Sequence, residues 1–198
     1  MNYMDVCGLG VLCCLRRYQA PRYDQEFDKI QVQLDTSHMG HEVVIVKSGR
    51  RICGSGAALA NAPLLQNKCY FEAKIQSGGV WGIGIATKRV DLNKLPLGNA
   101  PDSWVLRSEG TVAHDNSIRH RITTIPEEGD IIACTFDHVE VNFYHNGKHL
   151  HCPLTGFRET VYPVIYVDDG TIVDANFKDF VYEPPSGFSG IMFEKSLL

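Results

Sequence analysis

Apolar and polar residues alternate in short runs along most of the chain, and Gly, Pro, Asn or Asp punctuates nearly every run. The runs lie too close together for helical stretches of about ten to fifteen residues to fit between most of them, so the pattern predicts strands. In Cys69–Gln76, the side chains of Cys69, Phe71, Ala73 and Ile75 share one face and those of Tyr70, Glu72, Lys74 and Gln76 the other, which predicts one buried and one wet face. Val43–Val46 is expected to turn at Ser48-Gly49 into Arg51–Cys53. In Val80–Ala86, Trp81, Ile83 and Ile85 share a face, while Val80, Gly82, Gly84 and Ala86 leave the other nearly smooth. A smooth strand face predicts close approach by a neighbouring segment more than a floor for a ligand. Val139–His151 predicts a hairpin, because Asn146-Gly147 tolerates the positive φ of a type I′ turn. Tyr162–Val167 and Thr171–Phe177 predict another, with Asp168-Asp169-Gly170 at its tip.

These strands can bury their apolar sides only against each other, which predicts an all-β fold made as a two-sheet antiparallel β-sandwich, with a closed barrel as the structural alternative. Residues 1–28 show no sustained period, and Pro184-Pro185-Ser186-Gly187 breaks any regular element near the other end. The expected division is an N-terminal tail over 1–28, one domain over 29–183 and a C-terminal tail over 184–198.

At 198 residues and 44% hydrophobic, the chain can build a core without disulfide staples. Its 19 Lys and Arg against 23 Asp and Glu give a net charge of −4, with no concentrated basic stripe along the sequence, which argues against nucleic acid as a partner. No apolar run reaches the roughly 18–20 residues that a membrane-spanning helix needs. The seven cysteines, at 7, 13, 14, 53, 69, 134 and 152, include no Cys-x-x-Cys, and the N-terminus lacks signal-peptide features. Reduced thiols in the cytosol, or at the cytosolic face of a membrane, and a monomeric chain are therefore expected.

No catalytic constellation stands out. Leu34-Asp35-Thr36-Ser37 has the look of an aspartic-protease turn but has no good second copy, so Asp35 is expected to cap its own backbone. Gly54-Ser55-Gly56-Ala57 lacks the Gly-Lys-Ser/Thr ending of a phosphate loop and reads as an ordinary loop. His145, His149 and His151 could meet at a metal only across the Asn146-Gly147 hairpin, and exposed strand histidines are the simpler reading. Cys53, Cys69 and Cys134 fall within apolar strands and are expected to be inert; Asp137 and Glu140 flank a tight turn. No cofactor and no metal are expected.

The ends carry two further expectations. Cys13-Cys14, set among apolar residues and followed by Arg16-Arg17, are candidate S-acylation sites for peripheral membrane association; ordinary thiols in a tail are the alternative. Ser196-Leu197-Leu198 fits a C-terminal PDZ ligand.

Four ordered segments carry a family resemblance. Asn67–Ile75 followed by Trp81–Ala86, then Gly129-Asp130-Ile131-Ile132 with Phe136-Asp137, then Val141–Gly147, then Tyr162-Pro163-Val164-Ile165 resemble the SPRY (B30.2-like) family pattern. The resemblance implies a concanavalin-like jelly roll and a non-enzymatic module whose loops at one edge recognise a peptide or protein. On that implication, Arg89, Leu95 and Leu97 are expected as loop anchors, Trp104 and Arg107 as an aromatic and cationic pair, and Asn116, Arg119, Asp168 and Asp169 as a polar rim. The loop from Val90 to Asp102 departs from the peptide-binding members, so no particular partner is implied. The alternative function is a carbohydrate-binding or glycosidase-like sandwich, which would present an exposed aromatic platform or paired carboxylates in a cleft.

Overall fold

The alternation becomes fourteen strands within residues 31–193, the part of the chain that the computed structural model describes. They are β1 (Leu34–Met39), β2 (Glu42–Val46), β3 (Arg51–Ala60), β4 (Cys69–Ser77), β5 (Val80–Thr87), β6 (Ser103–Arg107) and β7 (Thr111–His114). The remainder are β8 (Ser117–Arg121), β9 (Ile131–Phe136), β10 (Val141–His145), β11 (Lys148–His149), β12 (Val161–Asp168), β13 (Ile172–Asn176) and β14 (Ser189–Gly190). The N-terminal tail over 1–28, with Cys13 and Cys14, and the C-terminal Ser196-Leu197-Leu198 lie outside the described residues.

Two antiparallel layers result. Sheet A runs β1–β3–β12–β5–β6–β7–β8, and sheet B runs β11–β10–β9–β4–β13–β3–β2. Strand β3 belongs to both: Arg51 and Ile52 pair with β13, while Gly56–Leu59 pair with β12. The bend between the layers falls at Gly54 (φ 94°) and Gly56 (φ 131°), which only glycine adopts readily. A Cβ at Gly56 would also stand 2.8 Å from Val43 Cγ2. Gly54-Ser55-Gly56, expected as a loop, is thus a corner inside a strand.

The core fills the space between the layers. Ile52, Phe71, Ile75, Trp81, Ile83, Ile85 and Phe143 are all buried in it, as alternation predicts. The smooth face of β5 points away from this core and receives a side chain: Tyr166, paired with Gly82 across the β12–β5 ladder, lays its ring where a Gly82 Cβ would stand. Gly84 is closed off by the Trp104 carbonyl and Val105 of β6. The close approach is therefore structural. On this outer side of sheet A, the 88–99 loop folds back to cover a second apolar cluster that includes Leu59, Val105, Val164 and Tyr166.

Two hairpins match their sequence signals. β2 turns into β3 through Lys47, Ser48 and Gly49, and β10 turns into β11 at Asn146 (φ 49°) and Gly147 (φ 76°). The third does not form. β12 pairs with β3 and β5 in sheet A, whereas β13 pairs with β3 and β4 in sheet B, so Asp168–Thr171 is a crossing between layers.

The outer face of β4 also differs from expectation. Lys74 is exposed, but Tyr70 and Glu72 are 1% exposed because residues 177–191 cross sheet B above them. Glu72 accepts from the backbone N–H groups of Val181 and Tyr182 at 2.8 and 2.9 Å and from the Tyr70 hydroxyl at 2.8 Å. Phe180 meets the Tyr70 ring edge-on at 4.8 Å. β14 then pairs in parallel with Cys69 and Tyr70, and Ile191 enters the core, so the packed unit reaches Ile191 instead of ending at 183.

Candidate functional site

A cleft of about 730 Å³ opens where the loop after β5, the β7–β8 hairpin and the 153–159 loop converge. Strand β6 supplies its back wall. Trp104 points from β6 toward the core, 3% exposed, with its ring stacked on His114 at 4.4 Å and tilted against Phe157 at 4.9 Å. Its indole N–H donates to the Thr155 carbonyl at 3.1 Å, which ties the 153–159 loop, from sheet B, onto sheet A. His120 Nε2 lies 3.1 Å from the Pro153 carbonyl and makes a second tie. A cleft with such fixed walls needs little ordering when a partner binds.

Charge lines the mouth. Arg89 bridges Asp102 (3.1 Å) and Glu159 (2.7 Å), and those two carboxylates hold its guanidinium pKa above the ordinary arginine value. The Thr87 hydroxyl donates to Asp102 at 3.1 Å, fixing that carboxylate at the end of β5. Arg119 and Arg158 stand exposed on the rim and make no ion pair among the described residues; Asp115 faces them from the β7–β8 turn. Two of the three carboxylates are thus matched internally, and the cations on offer are Arg119 and Arg158.

Of the nine expected binding residues, Arg89, Trp104 and Arg119 meet in this cleft. Trp104 is its packed wall, with no exposed face to stack on a ligand. Asn116 sits beside the cleft at the β7–β8 turn with φ 54°, its N–H donating to the Gly98 carbonyl at 3.1 Å. The Trp104–Arg107 pair does not exist, because three residues along a strand separate opposite faces. Arg107, 7% exposed, turns to the outer side, where Nε donates to the Leu97 carbonyl at 2.9 Å and Nη2 to Asn99 Oδ1 at 2.7 Å. Leu97 is buried and Leu95 half-buried against the outer cluster, so both hold the loop down and neither presents an anchor. Asp168 pairs with Val80 at the start of β5, the end of the strand opposite Thr87, so Asp168 and Asp169 lie away from the cleft.

The sequence reading missed Asp102, His114, Arg158 and Glu159. Residues 153–159 carry Pro, Gly and charge as any surface loop does; the Trp104 and His120 hydrogen bonds and the pairing of Val161 with Thr87 bring them to Arg89.

The other suspected chemistry resolves into structure. Asp35 accepts the Ser37 N–H at 2.8 Å in a local turn, and Asp137 does the same for Val139 and Glu140 at 3.0 and 2.9 Å. His145 is held by Asp130 at 2.6 Å, while the His149 ring packs on His151 at 4.3 Å. Among the described residues no group of three His, Cys, Asp or Glu is placed to hold a metal. Burial pushes the Cys69 thiol up to about 12 and the Cys152 thiol up to about 11, and raises Cys134 as well. Cys53 stands half-buried on the outer face of β3.

Comparison with known proteins agrees with this architecture. A family model described as the SPRY domain matches residues 68–180. The chain is 53% identical over 192 residues to SPRY domain-containing protein 7 of Homo sapiens, covering 95% of this chain and 98% of that one. It is 30% identical over 200 residues to Ran-binding protein 9 of Xenopus laevis, covering 92% of this chain and 35% of that one. Among solved structures it is similar in fold to the TRIM65 PSpry domain, with a TM-score of 0.62 at 12% identity over 74% of this chain and 90% of that one.

Proposed function

Because the chain belongs to the SPRY domain family, we propose that it is a protein-interaction module that grips a peptide segment of its partner in the cleft between Arg89, Arg119 and Arg158. The observation that carries this reading is the pairing of a rigid wall with unmatched rim cations. Trp104, His114 and Phe157 lock the 153–159 loop onto β6 and β7, while Arg119 and Arg158 remain to meet acidic side chains or carbonyl groups of an extended peptide. Relatives whose names record binding, such as Ran-binding protein 9, support the same class of activity.

A sugar-binding site would need an aromatic face open to solvent, and the Trp104 ring is covered by His114 and Phe157. The carboxylates that a glycosidase would use are, at Asp102 and Glu159, engaged by Arg89. The peptide reading therefore fits the cleft better.

Affinity capture with the full chain tests it. Arg119→Glu combined with Arg158→Glu, at exposed positions that leave the core untouched, is expected to lose partners that the unaltered chain retains. An identical set of captured proteins would reject the cleft as the binding surface.

A further inference from the structure

The outer face of sheet B has a chemistry that the peptide cleft does not use. Strand pairing puts Val46, Arg51, Asp174 and Lys74 side by side on neighbouring strands β2, β3, β13 and β4. Neighbouring strands are about 4.8 Å apart, so the row spans roughly 14 Å. Val46 is 42% exposed and Val44, two residues along the edge strand, 51%. Arg50 follows at the β2–β3 turn, and Lys178 comes from the segment that crosses the sheet; both are exposed.

Charge on this face runs against the balance of the chain. A hollow of about 320 Å³ is lined by Lys47, Arg50, Lys74 and Lys178. Arg51 adds a fifth cation, paired with Asp174, which Lys47 also approaches at 3.3 Å. The carboxylates at the hollow are Asp174, Asp179 and Glu72, and Glu72 is buried beneath its hydrogen bonds. With Glu42, which shares the exposed face of β2 with Val44 and Val46, five cations face four acids, one of them the buried Glu72, in a chain whose acids exceed its bases by four.

The adjoining hollow is where the described residues begin. Gln31, the first described residue, lines it together with Arg50 and Lys178. Arg16-Arg17 and Cys13-Cys14 precede it in the sequence. The fourteen residues from Arg17 to Gln31 reach at most about 50 Å, so the two cysteines and this face can meet one surface together.

We propose that the outer face of sheet B docks on an anionic lipid surface, with Lys47, Arg50, Lys74 and Lys178 toward the headgroups and Val44 and Val46 at the contact. Cationic face and N-terminal cysteines form a two-part attachment, in which neither part alone holds firmly. In the covalent part, the Cys13 and Cys14 thiolates take acyl groups from long-chain acyl-coenzyme A. Each forms a new thioester and releases the coenzyme as its thiol. The electrostatic part needs no modification, which allows it to be measured separately.

The full chain produced in bacteria, where these cysteines stay unacylated, is mixed with vesicles of phosphatidylcholine alone or of phosphatidylcholine with phosphatidylserine. Partition onto the phosphatidylserine vesicles is expected, with little onto the neutral ones and a steep fall as salt is raised. Each cation near an anionic surface contributes about fivefold, so Arg50→Glu, Lys74→Glu and Lys178→Glu together should lower the partition by about a hundredfold or more. Arg121→Glu, exposed on β8 in the other layer, should leave it nearly unchanged. A triple variant that binds like the parent, or a parent that ignores phosphatidylserine, overturns the proposal. The acidic stretch Asp24–Asp28 is the other occupant that the sequence offers. A parent that stays in solution while the Asp24→Asn, Glu26→Gln, Asp28→Asn variant binds would assign the face to that stretch and equally overturn docking by the native chain.

Discussion

The backbone N–H of Tyr182 donates to Oε1 of Glu72 at 2.9 Å across a separation of 110 residues. With the Val181 N–H on Oε2 and the Tyr70 hydroxyl on Oε1, a single carboxylate fastens the C-terminal crossing segment to the centre of β4. Glu72→Ala is expected to cost about 2–4 kcal/mol, because these three donors and the Asn176 amide, at 3.4 Å, lose an acceptor that is itself buried. Glu72→Gln keeps one acceptor oxygen and should cost less. Urea denaturation measures both, and amide exchange at Val181 and Tyr182 should rise in the alanine variant before exchange in β5 does. Unchanged protection at those two amides would refute the fastening.

Gly82 is held by the Tyr166 ring. Gly82→Ala places a methyl group inside that ring's volume and should destabilise by about 1–3 kcal/mol. In a Tyr166→Leu background most of that penalty should vanish, so a double-mutant cycle reads a positive coupling. Additive effects would show that the penalty comes from the backbone of β5 alone.

Arg107, on β6, makes two charge-assisted hydrogen bonds to the 88–99 loop, at Leu97 and Asn99. Arg107→Ala should therefore lower stability by about 2–3 kcal/mol and loosen the 97–99 segment, while leaving capture of a partner by the Arg119–Arg158 cleft intact once folding is verified. Thermal denaturation with parallel binding measurements separates the two effects. Loss of binding at full stability would return Arg107 to the recognition surface.

Asp130 predicts a response to acid. Burial acts to raise its pKa, but the Glu127 N–H, the Asn146 amide and His145 outweigh burial and hold the carboxyl below the ordinary carboxylate value. A group depressed in the folded state contributes stability above its unfolded pKa and loses it as pH falls through the folded value. Asp130→Asn should thus be less stable than the parent at neutral pH, by about 1 kcal/mol. The gap should close below the unfolded carboxylate value of 3.8. Denaturation curves collected from neutral pH down to that range provide the check, and a gap independent of pH would contradict the assignment.

Much of this architecture is legible from local chemistry. Asn146-Gly147 demands positive φ, and the glycines of β5 demand a close neighbour; both constraints act within a few residues and both appear in the fold. What escapes the sequence depends on distant segments. Asp168-Asp169-Gly170 has the composition of a hairpin tip, and nothing local tells a return within one layer from a step into the other. Ser103–Arg107 is buried on both faces, since one meets the core and the other lies under the 88–99 loop. The alternation that would have put Trp104 and Arg107 on opposite sides is therefore hidden. Glu72 looks like a solvated strand residue until the C-terminal segment is laid across it. Arg89 likewise gains Glu159 through the pairing of Val161 with Thr87 and the hydrogen bond from the Trp104 indole to Thr155.

Strand β3 contributes hydrogen bonds to both layers through one unbroken stretch of backbone. A load applied at either terminus of the domain is consequently shared by the two sheets, which cannot slide past each other as separate plates. Unzipping one layer drags on the other through the Gly54–Gly56 corner, so melting by heat, denaturant or force should proceed as a single event.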